Sequence, residues 1–169
     1  MVDRKLNREA IAAHNYYRTA HGCPKLIYDD SLAKSAQKWA EELARLGHIQ
    51  HGQNVKYGEN LSSKWASTQA SISGCEATQM WYDEVSFYDY TGDFSPKSGH
   101  FTQLIWKSTT KAGFGRATSS DGKSVYFVGH YWEAGNVIGK FRENVLRPVR
   151  SVEKYDPTQK PSKSKCAIM

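Results

Sequence analysis

The chain lacks most of what would let a covalent or membrane framework stand in for a packed core. Cysteine occurs only at Cys23, Cys75 and Cys166 among 169 residues, too few for a disulfide scaffold and in keeping with a reducing compartment. Nowhere do about 18 apolar residues run together, the length a membrane-spanning helix needs. The stretch from Met1 to Glu9 places charges where a secretory signal has its apolar run, so Sec-dependent secretion is disfavoured. No Gly-x-Ser-x-Gly elbow and no His-Glu-x-x-His helix is present, which removes two common hydrolase signatures. The chain also has no concentrated basic stripe. Its net charge of +6 is scattered and thickens only near the C-terminus, so nucleic acid is not an expected partner.

What is present is the composition of a globular domain: 39% hydrophobic, 24% charged, with five Trp and ten Tyr. A first helix is expected from Asn7 as cap to about Ala20, stopped by Gly22 and Pro24. Asp29, Asp30 and Ser31 cap a second, whose stripe of Leu32, Ala36, Trp39, Ala40, Leu43 and Leu46 ends at Gly47. Between His48 and Leu61 the chain is turn-rich, with room for one short strand. A third helix, about Ser73 to Phe87, sets Glu84 beside the apolar positions Met80, Trp81 and Val85. A loop rich in aromatics, Phe87 to Ser98, leads to a short helix that starts at His100 and buries Phe101, Leu104 and Ile105.

The segment Ala112 to Trp132 reads as a hairpin turning at Ser119-Ser120-Asp121-Gly122. Its second strand is apolar on both faces, with Val125, Phe127 and Tyr131 on one and Tyr126, Val128 and Trp132 on the other, so helices should cover both. Gly113 and Gly115 allow one covering element to approach closely. The expected fold is α+β, a three-layer α-β-α sandwich around a small antiparallel sheet. It occupies residues 1–148, and 149–169 form a flexible basic tail.

His51, Glu59, Glu84 and His100 are the candidate chemistry. If they share one cleft, two imidazoles and two carboxylates suit a divalent cation such as zinc. Without metal they would interlock by hydrogen bonds, each carboxylate favouring a protonated histidine. His48 rivals His51, and Ser62 or Ser63 would be the nucleophile of a serine-type hydrolase.

The chain resembles the CAP superfamily (cysteine-rich secretory proteins, antigen 5, pathogenesis-related 1). The resemblance rests on His14-Asn15 with Tyr17-Arg18 and His21-Gly22, Gly58-Glu59-Asn60-Leu61, Met80-Trp81-Tyr82 with Glu84, Gly99-His100-Phe101-Thr102-Gln103-Leu104-Ile105-Trp106, and Gly135-Asn136, spread over Leu6 to Pro148. It implies the CAP fold and a cleft tetrad at His51, Glu59, Glu84 and His100 that binds zinc in some members. Gly129 stands where secreted members carry cysteine, so the closest likeness is to the intracellular, Golgi-associated branch. Members are reported to bind lipid, sterol or protein partners, and the resemblance allows a homodimer. Proteolysis, suggested for some members, is the alternative.

That branch is myristoylated at its N-terminus, which Val2 precludes here. Cys166-Ala167-Ile168-Met169 instead forms a C-a-a-X box, whose Met favours a farnesyl group on Cys166. Lys160, Lys163 and Lys165 precede it, and one prenyl chain with a basic patch makes a usable anchor. The expectation is a peripheral lipoprotein on the cytoplasmic face of a Golgi-like endomembrane or the plasma membrane, with unconventional release from cells as the alternative.

Overall fold

A computed structural model describes residues 1–159, so Cys166 and the lysines before it lie outside the described residues. The elements, in chain order, are α1 (Arg4–Ala20), β1 (Ile27–Tyr28), α2 (Asp30–Leu46), β2 (Gly58–Trp65), α3 (Gly74–Tyr82) with a 3-10 turn at Asp83–Phe87, α4 (Gly99–Leu104), β3 (Lys111–Thr118), β4 (Ser124–Trp132) and α5 (Phe141–Asn144). The sheet order is β1-β3-β4-β2. The hairpin and β2 pair antiparallel as expected, while β1 runs parallel to β3, so the sheet is mixed. No helix among the described residues is long and apolar enough to cross a membrane.

The first helix starts a turn earlier than expected. Asp3, not Asn7, is its cap, accepting the Leu6 N–H at 3.0 Å. Asn7 is instead buried inside the helix and serves β3. Its amide nitrogen donates to the Phe114 carbonyl at 2.9 Å, and its amide oxygen accepts the Phe114 N–H at 2.8 Å. Gln37 of α2 does the same for Arg116, at 2.9 and 3.1 Å. Because β1 pairs only with Lys111 and Ala112, these two amides stand in for the missing length of strand and satisfy an edge that would otherwise be open.

Both faces of β4 are covered. Val125, Phe127 and Tyr131 join the larger core beneath α1 and α3, with Tyr17, Trp81, Phe101 and Phe114. Tyr126 and Val128 pack with Leu61 against Ala36, Ala40 and Leu43 of α2, while Trp132 stays 45% exposed. Helix α2 begins at its Asp29 cap and ends at Gly47 in the left-handed conformation. It lies so close to β3 that a Cβ built on Gly115 would stand 2.2 Å from the Gln37 nitrogen. The obstacle is helix backbone and cannot rotate away. Gly115→Ala should therefore cost about 3 kcal/mol or more by overpacking. In a thermal melt this lowers Tm by roughly 6–12 °C, whereas Gly122→Ala, whose Cβ would meet nothing within 4 Å, carries only the cost of its left-handed backbone (φ 74°), about 1 kcal/mol, and should lower Tm by roughly 2–4 °C.

The flexible tail expected from Val149 onward does not begin there. The Val149 N–H donates to the Ala20 carbonyl at 2.8 Å, and the Tyr155 N–H donates to the Tyr17 hydroxyl at 2.9 Å. Val152 and Tyr155 pack on the larger core, so this stretch straps α1.

Candidate functional site

Glu84 sits in the 3-10 turn that continues α3, opposite the first turn of α4. Its carboxylate accepts the backbone N–H of His100 at 2.9 Å and of Phe101 at 3.2 Å, and meets His100 Nδ1 at 2.6 Å. These N–H groups have no partner within the helix, so the carboxylate both completes them and lies at the favourable end of the dipole. The His100 ring stacks over Trp81 with centroids 6.1 Å apart, and the His100 carbonyl accepts the Asn60 side chain at 3.0 Å.

Glu59 is at the start of β2. It accepts the Gly52 N–H at 3.0 Å, His51 Nδ1 at 2.7 Å and His130 Nε2 at 3.0 Å. Burial opposes its ionisation, yet the hydrogen bonds from His130, His51 and Gly52 prevail and hold its carboxyl at about 2. His51 is pushed up by its hydrogen bond to Glu59, against a smaller opposing effect of burial. The His51 side chain is 67% exposed, whereas that of His130 is 1% exposed. His130 stacks against Tyr57 at 4.1 Å, and its Nδ1 has no partner among the described residues.

The four expected residues are thus brought together two by two: His51 with Glu59, and Glu84 with His100. Side chains alternate along β2, so Glu59 shares the α2 side of the sheet with Leu61. Asn60 faces the other side, where it meets Tyr131 and the α4 end that carries His100. One strand therefore separates the pairs. Among the described residues no group of three or more His, Cys, Asp or Glu side chains could hold a metal ion. Each carboxylate accepts three hydrogen bonds, none of them from the other pair. His48 belongs to neither pair, bonding to the Leu46 carbonyl and the Gln50 side chain.

Residues outside the expected set complete the network. His14 is fully buried in α1, with Nδ1 donating to the Ala10 carbonyl at 2.8 Å and Nε2 accepting from the Tyr131 hydroxyl at 2.8 Å. Burial pulls His14 down to about 3, so it is neutral at physiological pH. Tyr131 in turn lies 3.4 Å from the Asn60 amide, which links α1 through β4 and β2 to His100. His130 is the cross-strand partner of Glu59. Its place follows once β2 is registered on β4, but β2 was expected to be short and no register was available from the sequence.

This arrangement of helices on a small mixed sheet, with paired Glu and His at its edge, defines a CAP domain. The profile of the cysteine-rich secretory protein family (CAP) matches residues 11–131, and the chain belongs to that family. It is 40% identical over 153 residues to human Golgi-associated plant pathogenesis-related protein 1, covering 87% of this chain and 96% of that one. It is 36% identical to the secreted protein RBT4 of Candida albicans, covering 86% of this chain but 42% of that longer protein. The crystal structure of NaASP2 with Zn2+ superposes with a TM-score of 0.70 over 87% of both chains at 21% identity, a likeness of fold.

Proposed function

We propose that this chain is a membrane-tethered, non-catalytic CAP-domain protein that binds lipid, sterol or a protein partner on the cytoplasmic face of a Golgi-like membrane. The observation that carries the non-catalytic reading is the engagement of both carboxylates in structural hydrogen bonds. Glu59 and Glu84 each accept three hydrogen bonds, two of Glu84's from backbone, which fixes them in place, and Glu59, held at about 2, is a poor general base near neutral pH. Ser62 Oγ is buried and has no hydrogen-bond partner among the described residues, an unsuitable setting for a nucleophile, which needs a base beside it. The identity to a human protein named as Golgi-associated supports the location. A divalent cation held by His51, Glu59, Glu84 and His100 has the zinc-containing crystal of NaASP2 in its favour and the separation of the two pairs here against it.

The tether is assigned to Cys166 in Cys166-Ala167-Ile168-Met169, as a farnesyl thioether with the last three residues removed. Fractionation of cells expressing the full chain, followed by intact-mass measurement, tests it. The wild-type chain should carry the farnesyl mass and sediment with membranes, and Cys166→Ser should be soluble. An unmodified mass in both fractions, or membrane retention of Cys166→Ser, would overturn the tether.

A further inference from the structure

Between the loop that follows the 3-10 turn and the segment after α5 lies an open cavity of about 430 Å3, lined by Tyr90, Thr91, Arg142, Val145, Leu146 and Arg147. Two guanidinium groups share it, and among the described residues neither forms an ion pair with a carboxylate. The acidic groups of the same loop have hydrogen-bond partners of their own, although the Arg147 charge, after the hydrogen bonds from Thr91, also helps hold the Asp89 carboxyl down. Asp89 accepts the Thr91 N–H at 2.8 Å and its hydroxyl at 2.7 Å, and Asp93 accepts the Gly139 N–H at 3.3 Å.

Both arginines are held where they are. The Arg147 guanidinium lies 4.7 Å from the centre of the Tyr90 ring, and Arg142 Nη2 donates to the Thr91 carbonyl at 3.4 Å. The backbone under them is pinned by His21, whose Nδ1 donates to the Leu146 carbonyl at 2.6 Å. Tyr90 stacks edge-on against Tyr88 at 4.9 Å, and Tyr88 packs on Phe101 of the core. The Tyr90 hydroxyl is buried and has no partner among the described residues. Both arginines are exposed to solvent, each steered toward the cavity by one contact, and their planar donor pairs match phosphate oxygens. The cavity is larger than a bare ion requires, and Val145 offers an apolar wall to an organic group.

We propose that this cavity binds a phosphate monoester, with Arg142 and Arg147 on the phosphate oxygens and the organic part against Val145. The ester is either a small soluble phosphate or the headgroup of a lipid such as phosphatidic acid. The site is separate from the Glu and His pairs and does not depend on the tether.

The test uses the full chain made in bacteria, unmodified at Cys166, so that failure of the tether reading leaves the result untouched. Glycerol 3-phosphate is titrated while amide and guanidinium NMR signals are followed. Phosphatidylcholine vesicles containing phosphatidic acid, or phosphatidylserine as a charge control, are tested by co-sedimentation. Saturable shifts at Tyr90, Arg142 and Arg147 are expected, weakened about tenfold by Arg142→Gln or Arg147→Gln and lost in the double variant. A soluble source shows as binding of glycerol 3-phosphate without vesicle binding. A lipid source shows as binding to phosphatidic acid vesicles that the double variant loses. No saturable binding of either probe, binding unchanged in the double variant, or equal binding to phosphatidylserine vesicles would overturn the proposal.

Discussion

Arg18→Met is expected to destabilise the domain by about 3–5 kcal/mol, the cost of stripping donors from several buried carbonyls and a charge from its solvating shell. Arg18 has no exposed surface, and among the described residues its guanidinium meets no carboxylate. Five carbonyls surround it instead. Nε donates to Pro24 at 2.8 Å, Nη1 to Leu104 at 3.1 Å and Trp106 at 2.8 Å, and Nη2 to Thr109 at 2.9 Å with Lys107 farther off at 3.5 Å. Burial pulls Arg18 down to about 10, still well above physiological pH, so the group stays charged. Its negative counterpart is this ring of carbonyl dipoles: Leu104 closes α4, Trp106, Lys107 and Thr109 belong to the turns after it, and Pro24 to the loop after α1.

Methionine keeps the unbranched stem and removes every donor, so the loss isolates the hydrogen bonds from the packing. Urea unfolding should show the full decrease for Arg18→Met and a smaller one for Arg18→Lys, whose ammonium can serve up to three of the carbonyls. Amide exchange from Leu104 to Thr109 should accelerate in both variants, since that turn has lost its tie to α1. A decrease below about 1 kcal/mol in Arg18→Met would mean that water replaces the guanidinium at little cost. The consequence reaches the functional site, because α4 carries His100 at its start and Arg18 holds its end.

Local signals marked the elements well and their long-range partners poorly. Asp29 and Gly47 bound α2 as read, because both act on the backbone next to them. Asn7 was taken for a cap for the same chemical reason that it bonds Phe114: a side-chain amide serves any unpaired backbone group within reach. Nothing near Asn7 in the sequence points to a strand more than a hundred residues away. The full length of β2 was hidden because Gly58-Glu59-Asn60-Leu61-Ser62-Ser63 holds no β-branched residue, and it forms a strand through pairing with β4 rather than by propensity. Glu84 is legible as a carboxylate beside an apolar stripe, His100 as an imidazole at a helix start and His51 and Glu59 as polar groups in a turn-rich stretch, while their grouping as a tetrad is what the family resemblance implies. Their division into two pairs depends on which face of β2 each adjoins, and that required the register. The strap after Val149 was obscured because Val152 and Tyr155 stand among charges, and their contacts lie on α1, far back in the chain.

Acid should destabilise this domain well before its carboxylates protonate, and His14 is the main cause. Held at about 3 in the folded state by burial, it takes up a proton in the unfolded chain near its ordinary 6.5. Above pH 6.5 the ring is neutral in both states and stability is complete. Below it, stability falls by about 1.4 kcal/mol per pH unit until pH 3, a total on the order of 5 kcal/mol. His21, also lowered by burial, acts in the same direction. Glu59 adds to the loss only in a lower window, as pH falls from about 4.5 through its folded value of about 2. His51, raised by Glu59, opposes them: its contribution is complete below 6.5 and disappears as pH rises through its folded value. Its exposure to solvent screens that contribution to a small one. Urea unfolding at intervals from pH 7 to pH 4.5 measures the balance. The wild-type chain should lose about 2 kcal/mol more than His14→Gln between pH 7 and pH 5, whatever the variant costs at neutral pH, because glutamine keeps polarity at the position but cannot titrate. Equal slopes would show that the folded chain admits a proton at His14, and hence that the links from Ala10 through Tyr131 to Asn60 can rearrange to carry it.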